Sequence, residues 1–123
     1  MDRIKTFEEA CEKLGIDPQN TIPDFSMFPE EHQAAMIAHA KLIIINDALN
    51  EGWKPDWTNG KWDKYYPWFV IGSPSGDGFS YGDCGAWNAF SVVGSRLCFK
   101  SRELAEYAGE TFLQLYKDYY VKQ

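Results

Sequence analysis

Between Pro29 and Gly52 lies a helix-coded segment whose middle is apolar on nearly every side, and it constrains the fold more than any other part of the chain. Pro29 suits the first turn of a helix, where its missing N–H costs nothing, and Glu30 and Glu31 follow at the favourable end of the dipole. The run Ala34, Ala35, Met36, Ile37, Ala38, Ala40 and then Leu42, Ile43, Ile44, Ile45 leaves no polar face. Such a helix is buried at the centre of a domain or lays one face on another subunit. The pattern predicts a helix over residues 29–51 that serves as the spine of the core. Its longest unbroken apolar stretch, residues 34–38, is far too short to cross a bilayer.

Around that spine the chain reads as one domain over residues 1–123. Thr6-Phe7-Glu8-Glu9 is a capping box in which the Glu9 carboxylate is expected to reach back to the Thr6 amide. Phe7, Ala10, Cys11 and Leu14 form one apolar stripe, and Gly15 ends that helix. Residues 16–28 read as an irregular connector with Ile22, Phe25, Met27 and Phe28 available to pin it to the core. Tyr65 to Ile71 is β-branched and aromatic, and Pro67 makes it an edge strand or one that starts near Trp68. Phe79-Ser80-Tyr81 returns across a Gly-rich loop, and residues 82–86 read as a further turn. Residues 87–93 and 96–100 form a second hairpin. Ser101 caps a last helix with Leu104, Ala108, Phe112, Leu115 and Tyr119 on one face. The expected fold is α+β, in the order α-α-β-β-(β-β)-α, with a three- to four-stranded antiparallel meander and helices packed on one face.

Charge and cysteines narrow the function classes. Much of the net charge of −6 lies in residues 1–31, where Asp2, Glu8, Glu9, Glu12, Asp17, Asp24, Glu30 and Glu31 face Arg3, Lys5 and Lys13. The basic residues are scattered singly, so nothing offers the cationic face that phosphate binding needs, and nucleic acid is disfavoured as a partner. Met1-Asp2-Arg3-Ile4-Lys5 lacks the apolar core of a secretory signal, and the odd count of Cys11, Cys84 and Cys98 fits a reducing compartment. The expectation is a cytoplasmic protein without a membrane partner.

Chemistry has few footholds. Trp53, Trp57, Trp62, Tyr65 and Trp68 crowd into sixteen positions and are the candidate ligand-binding residues. Rings beside carboxylates and amides stack on and hydrogen-bond to a sugar or nucleobase, although aromatics in small domains mostly build core. His32 and His39 stand roughly 10 Å apart along one helix, too far for one metal ion. No metal site, cofactor or catalytic residue is expected. Cys98, flanked by Arg96 and Lys100, is the one thiol whose neighbours favour a thiolate; Asp83 opposes that at Cys84. Asp77 and Asp83 lack a calcium-loop pattern.

Two stretches carry a resemblance: Leu49-Asn50-Glu51-Gly52-Trp53-Lys54-Pro55-Asp56-Trp57, running on to Lys64-Tyr65-Tyr66-Pro67-Trp68-Phe69, and Gly94-Ser95-Arg96-Leu97-Cys98-Phe99-Lys100-Ser101-Arg102-Glu103-Leu104-Ala105-Glu106-Tyr107-Ala108-Gly109. They resemble a group of small proteins of Bacteroides-type gut bacteria and of their phages and prophages. The resemblance implies no reaction. It implies the setting of a mobile element, in which small adaptors and inhibitors are common. The expected function is a non-enzymatic protein-interaction module, phage-related, whose partner is a host or phage protein or a second copy. The alternative is a small-ligand domain that binds a saccharide or nucleotide through residues 53–69.

Overall fold

Thr6 opens the first helix of the computed structural model, which describes residues 3–53, 64–71, 79–87 and 97–121. Its hydroxyl oxygen accepts the Glu9 N–H at 3.1 Å and caps α1 (Phe7–Leu14). The Glu9 carboxylate takes the Lys5 N–H at 2.8 Å, one residue earlier than the expected Thr6 amide. Gly15 closes α1 at φ 73°, a left-handed conformation that suits glycine.

The connector holds a short helix that its composition hides. Asp17 caps α2 (Pro18–Thr21): its Oδ1 accepts the Gln19 N–H at 2.9 Å, and Pro18 fills the first position. The spine, α3 (Glu30–Asn50), runs as expected to within a residue at each end. It stops through Glu51 and Gly52, both at positive φ.

The expected meander is not seen among the described residues. The fold is mostly helical, with one two-stranded antiparallel ladder of β1 (Lys64–Ile71) and β2 (Phe79–Trp87). Two causes, one local and one long-range, account for the difference. Residues 82–86 do not turn; they continue β2, and the register steps from Trp68↔Asp83 to Phe69↔Tyr81, so that Gly82 is the extra residue of a bulge. The segment at 97–100 contributes a single bridge, in which the Phe99 N–H reaches the Tyr65 oxygen at 2.7 Å and the Tyr65 N–H returns at 3.1 Å. Two more of its backbone groups are held by α3. The Cys98 oxygen accepts from the Asn46 amide at 3.2 Å and the Asn50 amide at 2.9 Å, and the Lys100 N–H donates to Asn50 Oδ1 at 3.0 Å. With those groups taken by side chains, no further strand can pair through them. The loop at 72–78 and the rest of the expected second hairpin, residues 88–96, lie outside the described residues.

The last helix is also two. Ser101 caps α4 (Arg102–Thr111) by accepting the Leu104 N–H at 3.2 Å, as expected, but Phe112 leaves helical geometry and α5 (Leu113–Tyr120) begins after it. α3 packs on α1 and α5, and α4 covers both strands. The core joins Ile4, Phe7, Ala10 and Cys11 to Leu42, Ile45, Ala48 and Leu49, then to Leu97, Phe99, Ala105, Ala108, Phe112 and Tyr116. Alanines at 10, 48, 105 and 108 are fully buried and let the helices approach closely. The middle of α3 is apolar nearly all round, yet burial there is confined to Ala38, Leu42 and Ile45 on one stripe and widens only towards the end, where Asn46, Ala48, Leu49 and Asn50 are all buried.

Candidate functional site

The connector that was expected to pin itself to the core instead presents side chains to water. Ile22 packs against the core and Phe25 is half-buried, but Met27 is 96% exposed and Phe28 42%. The turn that carries them is firmly built. Asp24 Oδ1 accepts the Ser26 N–H at 2.9 Å, the Phe28 N–H donates to the Phe25 oxygen at 2.9 Å, and the Gln33 amide donates to the Phe28 oxygen at 2.8 Å. The Ser26 N–H also holds the Asp24 carboxyl below its ordinary pKa, so it is charged at neutral pH. Met27 is thus displayed on a pre-formed turn, which lowers the ordering cost of any contact it makes.

Beside this turn lies a groove of about 360 Å3 between the start of α3 and the end of α5. Ala34, Ala35 and Val121 supply apolar wall, Tyr119 and Tyr120 supply rings, and Glu30, Glu31 and Asp118 supply negative charge. The rings touch in series, two of the three pairs tilted and one stacked. Tyr119 meets His39 with centroids 4.5 Å apart, Tyr120 lies 4.9 Å from Tyr119, and Tyr116 lies nearly parallel to Tyr120 at 6.2 Å. Burial and the neighbouring Tyr119 push the Tyr120 hydroxyl up to about 12, and burial lowers the pKa of His39. His32 faces Phe28 edge-on at 6.4 Å and Glu31 at 3.3 Å. The two histidines therefore serve separate ring contacts.

A second hollow, of about 220 Å3, sits at the other end of α3. Ile4, Leu49 and Leu104 line it with apolar surface; Arg3, Lys13 and Lys100 bring positive charge, against Glu51 as the one acid. Lys100 Nζ stands 3.9 Å from Glu51 Oε1, and the Arg3 guanidinium lies 5.1 Å from the centre of the Tyr107 ring. Residues 3, 13 and 100 are scattered in sequence, and only the fold brings these cations together.

The aromatic segment is partly in view. Trp53 is half-buried just past the end of α3, its N–H donating to the Asn50 oxygen at 3.0 Å. Tyr65 is half-buried, packs against the core, and has the Arg102 guanidinium 5.9 Å from its ring centre. Trp68 occupies β1 opposite Asp83, and Pro67 pairs with Cys84. Trp57, Trp62 and Asp77 lie outside the described residues. Cys98 is fully buried, which closes its thiol to solvent despite Lys100 nearby. Among the described residues, no group of three or more His, Cys, Asp and Glu is placed to hold a metal, and no helix is long and apolar enough to cross a membrane.

No family model, curated protein or solved structure matches the chain.

Proposed function

We propose that the chain is a non-enzymatic protein-interaction module, in the phage-related setting its sequence resemblance implies, and that it binds through the Met27 turn and the adjoining tyrosine groove. The observation that carries this reading is the exposure of Met27 on a turn held by Asp24 and Gln33. Methionine and tyrosine are enriched in protein interfaces, and a large apolar side chain left in water on a rigid support is more useful to a partner than to the monomer. Glu30, Glu31 and Asp118 at the groove select for a partner surface that pairs apolar groups with positive charge.

A displayed library of short peptides, panned on the intact protein, tests this. The wild type is expected to select sequences in which an apolar residue is flanked by Lys or Arg. Met27→Asp and Tyr120→Ala, checked by circular dichroism for a retained fold, are expected to lose that selection. Selection no better than background, or selection that both variants preserve, refutes it.

A further inference from the structure

We infer that the module binds a second copy of itself head to tail, the Met27 turn of one copy entering the hollow of residues 4, 49 and 104 on the next. The inference rests on the reading above that the Met27 turn is a protein contact, and it adds the identity of the partner surface.

Three observations lead to it. The turn is an apolar knob with an acidic collar: Met27 and Phe28 are exposed, and Asp24, Glu30 and Glu31 flank them in sequence. The hollow is the converse: Ile4, Leu49 and Leu104 line it with apolar surface, and Arg3, Lys13 and Lys100 outnumber Glu51 among its charges. Its volume of about 220 Å3 is ample for one methionine side chain. Finally, the two features belong to opposite ends of α3, whose 21 residues span roughly 30 Å. A copy cannot fill its own hollow, so the contact is between molecules.

Acids at one end and cations at the other also give the molecule a charge asymmetry that orients an approaching copy in the same sense, despite the net charge of −6. Two different patches meet, so the contact is heterologous and the pair retains one free hollow, on the copy that gave its knob, and one free knob, on the copy that received it. Growth therefore continues past the dimer to a ring or an open string. A patch this small, with charges at its rim, gives a weak contact that salt loosens.

Sedimentation velocity of the intact protein, from micromolar to millimolar concentration, tests the inference. At low salt the weight-average mass is expected to climb past twice that of the monomer and to fall back at high salt. Met27→Asp removes the knob and Lys13→Glu with Lys100→Glu reverses the hollow, so each preparation alone is expected to stay monomeric. Mixed in equal amounts, the two are expected to form dimers and nothing larger, because one intact knob meets one intact hollow. A wild type that stays monomeric throughout, variants that associate like the wild type, or a mixture that fails to pair each overturns the inference. If the wild type stays monomeric but still selects peptides through Met27, the second copy is ruled out while the interaction module stands.

Discussion

The two halves of α3 carry the same number of apolar residues, six in 30–40 and six in 41–50, though mostly alanine in the first and Leu and Ile in the second, and they meet different fates. Towards its end Leu42, Ile45, Asn46, Ala48, Leu49 and Asn50 are all buried, asparagines included. Towards its start Ala34 is exposed, and Ala35, Met36 and Ile37 are only half-buried. Apolar sequence sets how much surface a helix can bury; the elements laid across it decide how much it does bury. Near Asn46 and Asn50 the covering element is the 97–100 segment, held by side-chain amides. Near residues 30–35 the neighbour is the end of α5, and a groove remains between them.

The strongest way to break this contrast is to truncate one isoleucine in each half. Ile45→Ala is expected to cost about 2–5 kcal/mol, since a buried side chain leaves a cavity. Ile37→Ala, at a half-buried position, should cost well under half as much, read as the shift of the urea midpoint. Equal losses would mean that both halves are core.

A smaller effect separates the two asparagines. Asn50 both donates to the Cys98 oxygen and accepts from the Lys100 N–H, so Asn50→Ala should cost about 1–3 kcal/mol. Asn46→Ala should cost less. The Cys98 oxygen keeps its bond to Asn50, and Asn46 Oδ1 has no hydrogen-bond partner among the described residues, so its removal relieves a buried orphan.

Alkali probes the groove side. The Tyr120 hydroxyl is pushed up to about 12 and that of Tyr116 well above 10, so the folded state holds these protons more tightly than the unfolded chain does. Their contribution to stability is complete below pH 10 and drains away as pH climbs from 10 towards 12. Thermal melts across that range should show the decline in the wild type and a shallower one in Tyr120→Phe. The smallest effect is at the turn: Met27→Ser should move stability by no more than about 0.5 kcal/mol, as expected of a side chain that packs on nothing.

What could be read from the sequence was whatever short-range physics decides. Thr6, Gly15 and Ser101 each end or start a helix as their types require, because a cap is settled within four residues. Residues 82–86 misled because a glycine makes a bulge as readily as a turn, and only pairing with β1 distinguishes them. The strand expected near 96–100 is reduced to one bridge because Asn46 and Asn50, some fifty positions away, take the Cys98 oxygen and the Lys100 N–H. In the connector Ile22 packs on the core as expected, while Met27 and Phe28 stay in water because apolar type alone does not decide which way a turn faces. Of the aromatic site, Trp53 and Tyr65 sit at the end of α3 and against the core. The basic hollow had no local signal, since residues 3, 13 and 100 meet only after folding.

One bond joins the far reaches of the chain: the Tyr107 hydroxyl donates to the Ile4 oxygen at 2.6 Å, across 103 positions. Ile4 and Phe7 share their core with Ala105, Ala108, Phe112 and Tyr116. A cut anywhere between α3 and α4 therefore divides the core, leaving Leu42, Ile45 and Leu49 on one piece and Phe112 and Tyr116 on the other. Each piece alone exposes the apolar face that the other covers, so a chain nicked there either stays paired or aggregates.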